Sequence, residues 1–600
     1  MTDPDVIHPR PQLTRADWTC LDGIWSFAID WADVGLAQRW YLDADRFESS
    51  ILVPYPPESP RSQVSEPSTA VSWYLLEVDS PPPAVGFRRI LHFEAIDYRS
   101  TIWLNGVHLR DHEGGQTRIS VDATNAWTAG DNSLVVRAVD EITDIEQPRG
   151  KQDWKPEPHV IWYRRTSGIW RTVWFEDVPI MHISDIVWTP EASFGVVGFE
   201  LRVGGRIATD AQLQVTLRQA GRILSRSSHS VLSNRLRIQL SVEDIASEPE
   251  PEQLLWSPEN PSLIDAELLL SSGDAPSDLV QSYLGLRTVG TDDRSFLLNN
   301  RPYFLRLALE QGYWPDTHLA APSNDDLRRE VEMIKELGFN GVRVHQKVAD
   351  PRFLYWCDRL GLLVWADAPA SYRFSHVSLV RTTKEWIEIV ERDRNHPSIV
   401  AWVPFNESWG IPNVSTDPRQ RSAVIAIYEL LKSLDGTRVV LGNDGWEYVV
   451  GDIAGVHDYS HDPAVLRDRY STLAAARETV ANGRTGGRKI SLRHSKGSLS
   501  IPIVLSEFGG VNLTDLAETW SGYGEAATAG ELLHRLRTLF DCVGEESGLA
   551  GFCYTQVTDT VQERNGLLTE ARDFKADPAM ISAIVRGVEA VRMREPAASS

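Results

Sequence analysis

The sequence predicts a multidomain chain with three regions. These are an N-terminal jelly-roll-like β-sandwich over 1–179, an immunoglobulin-like β-sandwich over 180–288 and a C-terminal (β/α)8 TIM barrel over 289–600. Three observations carry this. Up to about residue 178 short apolar–polar alternating runs are broken by turn residues, and no helical period interrupts them. From 180 to 288 the alternation continues in shorter, more polar runs. Beyond 290 the period changes, and eight strand-like runs are separated by helical segments. Six hundred residues also exceed what one hydrophobic core serves.

In the first region WSFAIDW, WYLLEV, RRILHFEAI, STIWLNGVHL, NSLVVRAV and WRTVWFEDV read as strands of an antiparallel sandwich. The second region offers GFELRVGGRI, AQLQVTLRQ and NRLRIQLSV, with PEPEQLLWSPENPSL as a proline-marked connection inside or near its end. The barrel opens with Leu327, Val331, Ile334 and Leu337 at helical spacing behind Ser323, whose partner Asp326 resembles a capping box. Gly338 stops that helix. Asp350-Pro351 starts the next one and Gly361 ends it. The predicted barrel strands are YFLRLALE, FNGVRVH, LLVWAD, IVAWVPFN, RVVLGN, IAGVHDY, IPIVLSE and LAGFCYT.

Composition excludes several function classes. The chain is 42% hydrophobic and 24% charged, and no run is apolar enough to span a bilayer. Sixty basic against 83 acidic residues give a formal charge of −23, which argues against nucleic acid or an anionic membrane as partner. Cys20, Cys357, Cys542 and Cys553 are scattered with no CxxC spacing, so neither a disulfide framework nor a zinc site is expected. With the polar start MTDPDVIHPRPQL, this predicts a cytoplasmic protein. Twenty-one tryptophans supply core, and their flat faces also suit sugar rings.

Barrel sites lie at the C-terminal ends of the strands. There the predicted strands place Gln311, Arg343 and His345, Trp365 and Asp367, Asn406 and Glu407, Asn443, Asp444 and Trp446, His457 and Tyr459, Glu507, and Gln556 with Asp559. A purely structural reading competes for some of them: Asp367 and Asp444 could simply pair with Arg343 or cap the following helix. The stretch IVAWVPFNESWG raises the central question, because an apolar strand ends in a carboxylate with an amide beside it. Alone, Glu407 would read as a surface residue of a loop. It is not alone. Strands four and seven face each other across a barrel mouth, so Glu407 and Glu507 can flank one pocket, as glycoside hydrolysis requires. Asn406 is placed to hold a sugar 2-hydroxyl, which suits Glu407 to the acid/base role. Glu507, at the end of an apolar strand, needs donors to stay ionised, with Tyr459 and Arg306 as candidates, and becomes the nucleophile. The further substrate contacts expected are His345, Gln311, Trp365, Asn443, Trp446, His457 and Gln556.

These residues resemble glycoside hydrolase family 2, the β-galactosidase, β-glucuronidase and β-mannosidase group. The resemblance rests on WYRRTSGIWRTVW, GFNGVRVHQKVADPRFLYWCDRLGLLVWAD, RNHPSIVAWVPFNESWG and IVLSEFGG, and covers nearly the whole chain. It implies a retaining exo-glycosidase with Glu407 as acid/base and Glu507 as nucleophile. The sequence departs from the family in places. Arg343 and His345 are one residue closer than in many members. FCYTQ replaces a tryptophan of the larger β-galactosidases. No Glu-x-His follows strand three, so no metal and no cofactor is expected. The Asn-x-Lys element of β-glucuronidases is absent as well. The resemblance therefore implies a β-galactosidase-like enzyme first, with arabinosidase, galactofuranosidase or β-glucuronidase as alternatives and a non-catalytic carbohydrate-binding protein as the rival class. The expected partner is a carbohydrate; self-association into a homo-oligomer is left open.

Overall fold

The computed structural model describes residues 7–64, 70–191, 195–242, 251–492, 500–513 and 523–587. In the N-terminal region a pair of antiparallel sheets stand face to face. The larger runs Ser49–Val53, Gly23–Ile29, Val71–Asp79, Asp131–Val139, Arg99–Leu104, Val107–Glu113 in spatial order. The smaller runs Trp18–Cys20, Val173–Pro179, Phe87–Phe93, Ile119–Asp122. Alternation decides which face is inside: Leu134, Val136 and Ala138 pack with Phe27, Tyr74, Leu91 and Phe93 between the sheets. The run STIWLNGVHL is a hairpin rather than one strand. Asn105 and Gly106 both take positive φ (52° and 75°), the backbone a two-residue turn between right-twisted strands demands.

Among its described residues the middle region has seven strands in sheets of three and four, the count of a constant-type immunoglobulin fold. Its core holds Trp188, Phe199, Leu213, Val215 and Leu268. The proline-marked connection lies inside it, ahead of strands Ile264–Ser271 and Asp278–Leu284; its residues 249–250 fall outside the described residues. From there Trp256 is delivered into the barrel base, where its indole N–H donates to the Asp358 carbonyl at 2.8 Å.

All eight predicted barrel strands are present, as Leu305–Glu310, Gly341–Val344, Leu363–Asp367, Ile399–Val403, Val439–Val440, Ala454–Asp458, Ile503–Phe508 and Gly551–Tyr554. They pair in parallel in the order 5-4-3-2-1-8-7-6, which is a cylinder with its seam between strands five and six. Strand five is cut to two residues because Asp452 turns back on it: the Val440 N–H donates to the Asp452 carboxylate, and the Asp452 N–H to the Val440 carbonyl, both at 2.9 Å. Side chains alternate along each strand. Leu305, Leu307 and Leu309 fill the barrel with Trp365, Val403 and Val504, while Ala308, Val342 and Trp402 face the helices. Helix caps follow the sequence signals. Ser323 accepts from the Asp326 N–H at 3.1 Å, but its hydroxyl donates to the Asp326 carboxylate, so only half of a capping box forms. Among the described residues no helix is long and apolar enough to cross a membrane.

The first sandwich sits on the barrel mouth through polar contacts. Arg171, buried, donates to the Val348 carbonyl, and the Val348 N–H donates to Gln116 Oε1 at 3.1 Å. One contact is costly. Glu385, on the helix His376–Asp393, is 2% exposed, and neither carboxyl oxygen accepts a hydrogen bond. The Tyr98 hydroxyl lies beside it but outside bonding geometry. Burial first, then the charges of Asp97 and Glu388, push its pKa well above the usual carboxylate value. Such a group stays neutral in the fold while the unfolded chain ionises. Its contribution is therefore intact below the ordinary carboxylate pKa and is lost as pH rises through the folded one. Glu385→Gln should raise Tm more at pH 8 than at pH 5. Calorimetry at both values checks this, and an equal gain at both would show that ionisation is not the cause.

Candidate active site

Strand four is wholly buried and runs out at Phe405-Asn406-Glu407. Glu407 and Ser408 both adopt left-handed φ, 52° and 60°, which costs non-glycine residues roughly 1–3 kcal/mol each. The surroundings hold them there. The Glu407 N–H donates to the Asp444 carbonyl at 2.9 Å, the Ser408 N–H to Asn443 Oδ1 at 3.1 Å, and the Ser408 hydroxyl to Glu447 at 2.6 Å. Glu407 is thereby turned out of the strand line towards the barrel axis.

Across the mouth, Glu507 on strand seven is 4% exposed. Arg343 Nη1 donates to its Oε1 at 2.5 Å, and the Tyr459 hydroxyl donates to its Oε2. The same guanidinium bonds Asn406 Oδ1 at 2.7 Å, Asp367 at 3.0 Å and Asp444 at 3.1 Å, so one fully buried cation ties strands two, three, four and seven to the loop after strand five. With its carbonyl oxygen taken by Arg343, Asn406 turns only a donor towards the cavity. His457 stands between the glutamates. Its Nδ1 is 2.8 Å from Glu407 Oε1, and its Nε2 is 3.4 Å from Asp444 and 3.5 Å from Glu507. Burial opposes its charge, yet Glu507, Asp444 and Glu407 outweigh burial and lift its pKa to about 10, so it is an imidazolium at neutral pH. Burial likewise opposes ionisation of Glu507. His457 and Arg343 overcome it and hold that carboxyl below the usual range. Asp367, more buried than compensated, is pushed up to about 7 despite Arg343.

The cavity between these groups is lined by Gln311, His345, Asn406, Glu407, Tyr459 and Glu507, all expected from the sequence, together with Leu309, Trp409 and Thr555. Lys151, Ile161, Gln346, Tyr523 and Glu563 complete the wall and are not foreshadowed by the sequence. Lys151 and Ile161 come from the first sandwich, where nothing in the local sequence marks a residue for a barrel 150 positions away. Glu563 follows strand eight in a loop whose length hides its direction.

Other expectations are corrected. Arg306 is the second residue of strand one, at the end away from the mouth, and pairs with Glu545 at 2.8 Å; Arg343 takes the role foreseen for it beside Glu507. Trp365 points into the barrel filling and is not on the cavity wall. Asn443 is spent on Ser408 and on the Trp446 carbonyl, so it shapes the Glu407 loop. Trp446 lies edge-on to His457, with centroids 5.7 Å apart, and His457 itself stands behind the wall. Gln556 donates to Asn565 at 2.8 Å and supports the Glu563 loop from beneath. For Asp367 and Asp444 the structural reading holds: both pair with Arg343, and through it they orient Glu507.

Glu407, His457 and Glu507 also offer ligand atoms within 4.8 Å of one another. The donor set suits a cation poorly, because the buried Arg343 guanidinium already stands against Glu507 and repels a second positive charge. Glu507 is already occupied by Arg343 and Tyr459. Exhaustive chelation should leave turnover of an aryl glycoside unchanged; a loss restored by a divalent cation would overturn this.

Residues 289–517 match the family model described as "Glycosyl hydrolases family 2, TIM barrel domain". Over those residues the chain is similar to the barrel domain of glycoside hydrolase family 2. The chain is also similar to a putative beta-glucuronidase of Formosa agariphila, at 29% identity over 58% of this chain and 41% of that one. It is similar too to a beta-galactosidase of Thermoanaerobacter pseudethanolicus, at 27% identity over 64% of this chain and 52% of that one. The chain thus aligns with about half the length of either relative. The fold is shared with the solved b-glucuronidase from Ruminococcus gnavus in complex with D-glucuronic acid, with a TM-score of 0.73 at 20% identity over 95% of this chain and 97% of that one.

Proposed function

We propose that this chain is a retaining exo-glycosidase of glycoside hydrolase family 2 that removes terminal non-reducing sugars by double displacement. One observation carries the reading. A carboxylate oxygen of Glu407 and one of Glu507 lie within 4.8 Å of each other on strands four and seven. That suits the spacing of about 5–5.5 Å at which one carboxylate attacks the anomeric carbon directly, and not the 6.5–9.5 Å or so that admits a water. Glu507, kept anionic by Arg343, Tyr459 and His457, forms the bond to C1. The glycosidic C–O bond breaks as Glu407 gives its proton to the leaving oxygen. Water then loses a proton to Glu407, attacks C1 and expels Glu507, and the sugar leaves with its original configuration. Asn406, oriented by Arg343, offers its NH2 to a sugar hydroxyl.

A β-galactoside is the first substrate to try. A β-glucuronide is the second reading, favoured by the likeness to the beta-glucuronidases of Formosa agariphila and Canis lupus familiaris. Magnetic resonance of the first-formed product from an aryl β-glycoside tests the mechanism. The β-anomer is expected, and the α-anomer would refute a retaining cycle.

A further inference from the structure

We propose that Lys151, Glu563 and Gln311 form a hydroxyl-reading wall that selects a neutral terminal sugar over a uronic acid. The inference rests on the hydrolase reading above and concerns the same cavity. It begins with how Lys151 arrives there. Gly150 has φ +60°, and a Cβ at that position would meet the Gln346 carbonyl oxygen at 2.1 Å, so only glycine lets the sandwich loop lie this close to the barrel loop. The Arg149 and Gly150 N–H groups both donate to the Ala370 carbonyl, at 3.1 and 3.0 Å, and the Tyr163 N–H donates to the Lys151 carbonyl at 3.0 Å. The next side chain, Lys151, is thus driven into the mouth, where it pairs with Glu563; both side chains are 4% exposed.

Two properties of this wall point to a hydroxyl. The first is charge. Among the described residues Lys151 is the one permanent cation on the cavity wall, against the carboxyls of Glu407, Glu507 and Glu563. Its charge is already met by Glu563. The cations behind the wall, Arg343 and His457, are taken up by Asp367, Asp444 and the two facing glutamates. Among the described residues a substrate carboxylate would find no unpaired cation on this wall and would stand against like charge. The second property is hydrogen-bond polarity. Gln311 donates its NH2 to Glu563 at 3.3 Å, which fixes the amide; its buried Oε1 is left without a donor, as is Gln346 Oε1. Both acceptors call for O–H groups. A sugar hydroxyl supplies a proton to Gln311 and accepts one from the remaining N–H groups of Lys151, whereas an ionised carboxylate has no proton to give.

The test measures kcat/KM of the full chain on 4-nitrophenyl β-D-galactoside, β-D-glucoside, β-D-glucuronide and β-D-galacturonide, in the parent and in Glu563→Gln. At least one neutral glycoside should exceed both uronides by 100-fold or more. In Glu563→Gln, which frees the Lys151 charge, that ratio should fall at least tenfold. A uronide turned over as well as the neutral sugars, or a ratio unmoved by the substitution, would overturn the wall and leave the hydrolase reading intact. If no glycoside is hydrolysed, the hydrolase reading fails. Calorimetric binding of free D-galactose, D-glucose and D-glucuronate to the parent then decides the wall by itself, and it is overturned if D-glucuronate binds as tightly as the neutral sugars.

Discussion

Glu507→Ala should lower kcat on the best aryl glycoside on the order of 10⁴–10⁶-fold, the scale on which removal of a covalent nucleophile is felt. The protein should remain folded, because Arg343 keeps Asp367, Asp444 and Asn406 as partners and is not left as a lone buried charge. The small space left at C1 admits azide, which attacks from the vacated face while Glu407 still assists departure. The product should be a glycosyl azide of inverted configuration, identified by magnetic resonance. The parent should also keep its nucleophile ionised in mild acid, since His457 and Arg343 hold Glu507 below the usual carboxylate range. The acid limb of kcat/KM therefore belongs below the ordinary glutamate value. No rescue by azide, or a product of retained configuration, would take the nucleophile's role away from Glu507.

Glu407→Ala should behave differently. Substrates with poor leaving groups need the proton and should lose about 10²–10⁴-fold, while a dinitrophenyl glycoside, which departs unaided, should lose little in the glycosylation step. The glycosyl-enzyme then lacks its base and accumulates. Added azide, which needs no base, should speed its breakdown to a glycosyl azide of retained configuration. Equal losses across leaving groups would mean that Glu407 positions the substrate instead of protonating it. The inverted product here, with the retained one from Glu507→Ala, would exchange the two roles.

Strand identity, barrel order and the two facing glutamates are legible because each is written locally. The apolar run of strand four ends at Asn406-Glu407 and that of strand seven at Ser506-Glu507, and parallel register sets both at the same rim. Turn chemistry is harder to read inside an apolar run. Asn105-Gly106 splits one predicted strand into a hairpin, although the Asn-Gly signal itself stands in the sequence. Arg306 and Arg343 show where local reading stops. Both lie on barrel strands, but about five residues of extended chain separate the base of strand one from its rim, and only position along the strand decides which arginine meets Glu507.

What the sequence determined by itself was therefore the architecture and the facing pair of glutamates, since periodicity of two or 3.6 and the ends of apolar runs are properties of neighbours in the chain. What only the tertiary structure decided was the setting of that pair. His457 becomes an imidazolium because three carboxylates from different strands and loops surround a buried ring. Asn443 becomes a support because the loop of Glu407 takes a left-handed turn beside it. Lys151 enters the cavity because Gly150 lets a sandwich loop touch the barrel. Charge and hydrogen-bond partners depend on distances across elements, and those distances exist only once the chain has folded.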